Sequence, residues 1–311
     1  MSTQCHITLV VFAVVSAACT GHLRRSDPLG DGSADAGQVN PDTGPAEPTD
    51  ADVPPPTGAP PGTQVDFFTY ASQHERVRTR WGDVLTDIVQ HLPTTYGDTY
   101  ADPDFVTYGH ETTHGIHAHL RNNFDATGRA TNAFYVLEGR AVFVVEPAIR
   151  KSEVAFFVPE SLRGPRYELY VVGAGEREDS PLYIWDEWVA YTNGGAVGVD
   201  RVHAGLWTEG WRDAVAGPLE LTVYAIAVAM AVEELDPVYF REYRQFREFL
   251  AFHARRAMDI YREGAAMETF AAEEQETYLR ALWESEDAEA MRAFVTRHFG
   301  SAWSREVLAI Q

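Results

Sequence analysis

Two histidines four residues apart, His110 and His114, constrain this chain more than any other feature. On a helix, positions i and i+4 lie on one face and one turn apart, so both imidazoles reach a single point. Glu111 sits between them and projects beside that point. The segment His110-Glu111-Thr112-Thr113-His114 therefore asks for a helix, and residues 105–120 contain no proline and carry apolar Phe105, Val106, Ile116 and Leu120. Local propensity works against it. Thr112 and Thr113 are poor helix formers, and Gly109 and Gly115 are worse. Such a helix holds only if tertiary packing supports it, so the fold must supply a partner for it.

Two imidazoles at this spacing with a glutamate between them form the pattern H-E-x-x-H, in which the histidines ligate zinc and the glutamate acts as a base. A catalytic zinc takes three protein ligands and keeps one position open. An extended histidine pattern would place the third ligand six residues after His114, but that position is Leu120, and the glycine expected before it is His117. A later glutamate is the other source. Glu187, in Trp185-Asp186-Glu187-Trp188-Val189-Ala190-Tyr191, is the best candidate, with Asp186 the runner-up. Glu187 and Ala190 share a helix face, and Trp185 and Trp188 are placed to exclude water.

The two segments resemble the motifs of the gluzincin zinc peptidases, within the zincin class. That resemblance implies one Zn(2+) per chain, held by His110, His114 and Glu187. It implies that Glu111 is the general base in hydrolysis of a protein or peptide substrate, and that small Ala190 lets two helices approach. A tyrosine or histidine commonly stabilises the oxyanion in such enzymes, and Tyr183, Tyr191 and His203 are the candidates here. His117 lies on the ligand face, as a group behind the ligands or a packed residue, and His119 reads as solvated or packed. Two other readings fit the same residues: an inactive zincin-like binding or structural lipoprotein, and a zinc amidase acting on a cell-wall peptide.

The N-terminus points to export. Ile7 to Val15 is an apolar run of the length of a signal-peptide core, too short to span a bilayer. Ser16-Ala17-Ala18-Cys19 follows it and resembles the lipobox of bacterial lipoproteins, although no Lys or Arg precedes the run. The resemblance implies cleavage before a lipidated Cys19, membrane attachment through that lipid, and a place in the bacterial cell envelope. Residues 20–64 are rich in Pro, Asp, Gly, Thr and Ala, too poor in apolar surface to offset chain entropy, and are expected to be a disordered tether. The only cysteines are Cys5 and Cys19, so residues 65–311 hold no disulfide. The formal charge of the chain is −21, which argues against nucleic-acid binding.

Residues 65–311 suffice for one large core. Apolar residues at helical spacing predict a helix over 65–92, ended by Pro93. Residues 133–137 and 141–145 read as a hairpin, and 154–158 and 167–172 add two strands, giving a sheet of about four. The Glu187 helix is expected to end at Asn193-Gly194-Gly195. An apolar core helix is predicted over 219–235, another from Pro237, and an amphipathic pair over 267–284 and 287–308. Arg255-Arg256 reads as helix surface. The fold class is α+β: a mostly helical zincin-like domain whose small sheet lies between the H-E-x-x-H helix and the Glu187 helix, whereas in many gluzincins the sheet comes first.

Overall fold

Where the described chain begins, it is already tied down. The computed structural model describes residues 59–124, 128–173 and 179–309. The export signal, Cys19 and residues 20–58 of the expected tether lie outside them. Residues 59–64, the end of that stretch, are placed. The Gly62 and Gln64 amides donate to Glu248 Oε2 at 2.9 and 3.1 Å, and Arg244 pairs with Asp66 at 2.8 Å. This strap leads into β1, Phe68–Thr69.

The elements then follow in order: α1 Asp83–His91, α2 Phe105–Phe124, β2 Thr131–Tyr135, β3 Arg140–Val145, α3 Lys151–Val154, α4 Tyr183–His203, α5 Ala216–Leu235, α6 Pro237–Glu242, α7 Arg244–Ala265, α8 Glu273–Glu284 and α9 Glu289–Leu308. The protein is mostly helical with one antiparallel three-stranded sheet, order β1-β3-β2, and is α+β. The hairpin is as expected, with Ala133 opposite Phe143 and Tyr135 opposite Ala141.

Several expected elements differ. The predicted helix over 65–92 is strand β1, a stretch of turns, and only then α1. Gly82 breaks the run at φ 79°, Gln73 donates to the Gln90 carbonyl, and Phe68 pairs with Ala141. The third and fourth strands are short helical turns. Within 154–158, Ala155–Phe157 continues α3 as a 3-10 turn, and within 167–172, Glu168–Val172 forms one π-helical turn. Helix α4 does not stop at Asn193-Gly194-Gly195 but runs on to His203.

Helix α4 is buried almost all round, and its glycines allow that. It packs against α2 on one flank and α5 and α7 on another. A Cβ at Gly109 would lie 2.7 Å from Val197 Cγ2, and one at Gly194 only 2.9 Å from the Val106 carbonyl oxygen. The weak helix formers of α2 and α4 are thus what lets two backbones touch, and packing supplies the stability that propensity withholds. Trp185 and Trp188 face the main core and do not screen the histidines. Trp185 stacks on Phe246 at 4.4 Å, and Trp188 Nε1 donates to Thr222 at 3.0 Å. The sheet separates two apolar clusters. Phe134, Val142 and Val144 face the larger cluster with α4, α5 and α7, while Ala133, Tyr135 and Ala141 face the smaller one with α1 and α2.

Candidate metal centre

Helix α2 is started by Asp104, whose Oδ1 accepts from the Val106 amide at 3.0 Å and the Thr107 amide at 3.4 Å. Two turns further on, the face turned to α4 carries His110 and His114. Their Nε2 atoms lie 3.1 Å apart. Glu187 comes in from α4 with its Oε2 3.6 Å from His110 Nε2 and 3.4 Å from His114 Nε2. The residues chosen by spacing therefore converge on one point. A tetrahedral ion with bonds of about 2.0–2.1 Å separates its ligands by roughly 3.3 Å, so three atoms at these spacings form one face of such a tetrahedron.

The electrostatics fit a cation as well. Glu187 Oε2 is buried without a hydrogen-bond partner. Burial, helped by the neighbouring His114, holds the His110 imidazole down to about 3, which keeps it in its neutral, ligating form. Burial also opposes charge on His114, but the Glu187 and Asp186 carboxylates outweigh it and push that ring well above its ordinary value. Burial would raise Glu187 too, yet His114 and His110 bring its carboxyl below the usual range. A divalent ion at this point gives the buried carboxylate its missing partner and takes the place of the His114 proton. The residues present, two imidazoles and one carboxylate, fit zinc.

Asp186 lies outside the His110–His114–Glu187 triangle and, with His114 and His117, forms a second group whose atoms are close enough to hold an ion. Its Oδ2 accepts from His114 Nδ1 at 3.0 Å, and its Oδ1 is bonded to His117 Nδ1. One carboxylate thus fixes the tautomer of both rings and leaves His114 Nε2 aimed at the centre. His117 is fully buried in this role, and Arg121 Nη1 stands 3.7 Å from Asp186. His119 packs among Tyr70, Tyr96 and Phe124, away from the centre.

Glu111 is beside the triangle and outside it. Its Oε1 is 4.0 Å from His110 Nε2, and its side chain is 30 % exposed. Burial raises its carboxyl, His114 lowers it, and Glu187 and Asp102 raise it again, for a net rise. This is a carboxylate open to solvent, next to the centre and more basic than usual.

The three oxyanion candidates part company. The Tyr191 ring meets His110 edge to face at 4.5 Å, one turn after Glu187. Tyr183 opens α4 one turn before Glu187, with the Lys151 ammonium 4.9 Å from its ring centroid. His203 is at the far end of α4, sixteen residues or about 24 Å along the axis from Glu187. There its 60 % exposed ring pairs with Glu263 at 2.7 Å, so the structure does not bring it to the centre.

Two residues that sequence alone did not single out stand beside Tyr191. Tyr170, on the π-helical turn, places its hydroxyl 2.8 Å from that of Tyr191. The Arg166 guanidinium lies 5.2 Å from the Tyr191 ring centroid and is held by Glu220 at 3.0 Å and Asp213 at 2.8 Å. Reading 167–172 as a strand hid Tyr170. Tyr170 has no spacing relation to either motif.

No family model, curated protein or solved structure matches the chain.

Proposed function

We propose that the chain is a zinc-dependent hydrolase that cleaves peptide bonds, and that the lipobox-like Ser16-Ala17-Ala18-Cys19 places it on a membrane of the bacterial cell envelope. The observation that carries the first part is the three-atom face of 3.1, 3.4 and 3.6 Å with Glu111 outside it. A structural zinc closes its coordination with a fourth protein ligand, whereas a catalytic one leaves that place open.

Zinc bound there supplies a Lewis acid for a carbonyl and lowers the pKa of water toward neutrality. The chain does the rest. Asp186 keeps His114 in the ligating tautomer and orientation. Glu111, raised by burial, takes a proton from water and returns it to the leaving amine. The Tyr191 ring packs on His110 and its hydroxyl is bonded to that of Tyr170, so these two hydroxyls are the candidates for a developing oxyanion.

The test is metal analysis of the full chain with two variants. Wild type is expected to hold about one zinc per chain, and His114→Ala to lose it. Glu111→Gln should keep the zinc and lose peptide hydrolysis by a factor on the order of 10²–10⁴. A wild-type protein without zinc, or a Glu111→Gln variant as active as wild type, overturns the reading.

A further inference from the structure

Behind the ligands, α2 and α4 are joined by one buried amide. Asn193 is fully buried on α4, six residues after Glu187. Its Nδ2 donates twice, to Thr113 Oγ1 at 3.1 Å and to the Tyr135 carbonyl at 3.0 Å. Its Oδ1 accepts from Arg256 Nη2 at 2.6 Å. Thr113 Oγ1 donates to the Gly109 carbonyl at 2.8 Å, so toward Asn193 it accepts. These partners allow only one orientation of the amide, because the flipped form would set NH₂ against a guanidinium and oxygen against a carbonyl.

Asn193 therefore ties α2 to α4, to strand β2 and to α7 at once. Thr113 is the residue before the ligand His114. One residue from Asn193, Gly194 touches the α2 backbone, where a Cβ would stand 3.3 Å from His110 Cβ. The ligand triangle spans the same two helices, and its edges of 3.1 to 3.6 Å tolerate little sliding. Close approach limits the separation of the helices. A directional bond is what fixes their axial register, because apolar packing alone is not directional.

We propose that Asn193, held by Arg256 and bonded to Thr113, is a positioning residue that sets the register of α2 on α4 and so the affinity and geometry of the metal centre. This rests on the metal-centre reading above. Asn193 touches neither ion nor substrate and acts through Thr113 and the two helices. Arg256, read from sequence as helix surface, is turned inward to hold it, and its Nη1 is buried without a partner.

Full-length Asn193→Ala and Thr113→Val are compared with wild type, with Thr113→Ser as the rescue. Val307→Ala, a fully buried site on α9, is the control for loss of stability alone. Zinc affinity is measured by chelator competition, and ligand geometry by the visible spectrum of the cobalt(II)-substituted protein. The expected result is a loss of about 10–100-fold in zinc affinity and an altered cobalt spectrum in Asn193→Ala and Thr113→Val. Thr113→Ser should return both to wild type, and Val307→Ala should change neither. If Asn193→Ala does not fold, the near-isosteric Thr113→Val with its serine rescue decides. Unchanged affinity and spectrum in Thr113→Val, or an equal loss in Val307→Ala, overturns the proposal while leaving the metal centre standing. A wild-type chain that takes up no metal overturns both.

Discussion

A methyl group added at Gly194 would sit 2.9 Å from the Val106 carbonyl oxygen, 3.3 Å from His110 Cβ and 3.6 Å from the His110 amide nitrogen. Two of these are backbone atoms of a packed helix and cannot turn aside. Replacing glycine by alanine within a helix normally stabilises by up to about 1 kcal/mol. Overpacking of this kind costs roughly 1–3 kcal/mol, so the clash wins. Gly194→Ala is expected to lower stability by that net amount in denaturant titrations, and to weaken zinc binding by spreading the ligand triangle. A stabilised variant with unchanged zinc affinity would show that the two helices do not meet there. At this scale the sequence was informative where chemistry follows spacing. His110, Glu111 and His114 are legible because one helical turn relates them, and Glu187 because it shares a short segment with Ala190. Asp186 beside His114, Tyr170 beside Tyr191 and Asn193 between the helices depend on contacts across 21 to 80 residues of sequence. No local pattern encodes those.

Helix α2 has weak helix propensity and carries His110, Glu111 and His114 of the proposed centre. Asp104 begins it, bonded to the Val106 and Thr107 amides and, at 3.0 Å, to the Thr107 hydroxyl, and paired with Arg212. Removing the cap in Asp104→Ala should cost about 0.5–2 kcal/mol, read as a lower midpoint of thermal unfolding. An unchanged midpoint would mean that packing against α4 alone sustains the helix. The elements that the sequence misrepresented fail for related reasons. Val154–Val158 and Tyr167–Val172 carry the β-branched and aromatic residues of strands, but among the described residues no strand pairs with them. Their ends are set by Pro159 and Gly173, and Phe156 is left 87 % exposed. Strand propensity is a preference for a pleated, half-buried surface, and without that surface the chain turns helical. Asn193-Gly194-Gly195 reads as a helix end, yet buried glycines inside α4 are a means of close approach. The apolar residues of 65–92 recur at helical spacing, but Gly82 and the pairing of Phe68 with β3 divide them among three kinds of structure.

Across the molecule, two buried groups away from the metal ligands should shape its stability against pH. Burial pushes the Glu146 carboxyl up to about 7, even with Asn132 Nδ2 donating to it at 2.8 Å. Folding therefore favours its protonated form, and the stability it contributes is present below about 4.5 and lost as pH rises through about 7. His253 is fully buried, and burial, with Arg256 and His117 nearby, holds it well below its ordinary 6.5. The unfolded chain takes up its proton first, so stability falls as pH drops below about 6.5. In chelator, to remove any metal contribution, the two slopes oppose each other in mildly acidic solution. Glu146→Gln is expected to abolish the loss between about pH 4.5 and 7, and His253→Gln to shrink the loss below about 6.5. Parallel pH–stability curves for wild type and Glu146→Gln would rule out a buried, raised carboxyl at that site.

The strap over residues 60–66 decides how a pull on the N-terminal end enters the molecule. Tension there falls first on the two amides bonded to Glu248 and on the Arg244–Asp66 pair, then on a strand of two residues. A pull that loads these few contacts in turn is expected to open them one after another. Helices α2 and α4 lie further along the chain, joined along their length, where the same load would have to shear many contacts together. The first segment to give way is thus a sacrificial one, and an optical-trap record should show a small early extension of roughly ten residues before the main rupture. The centre would keep its shape while the end of the chain is being tugged.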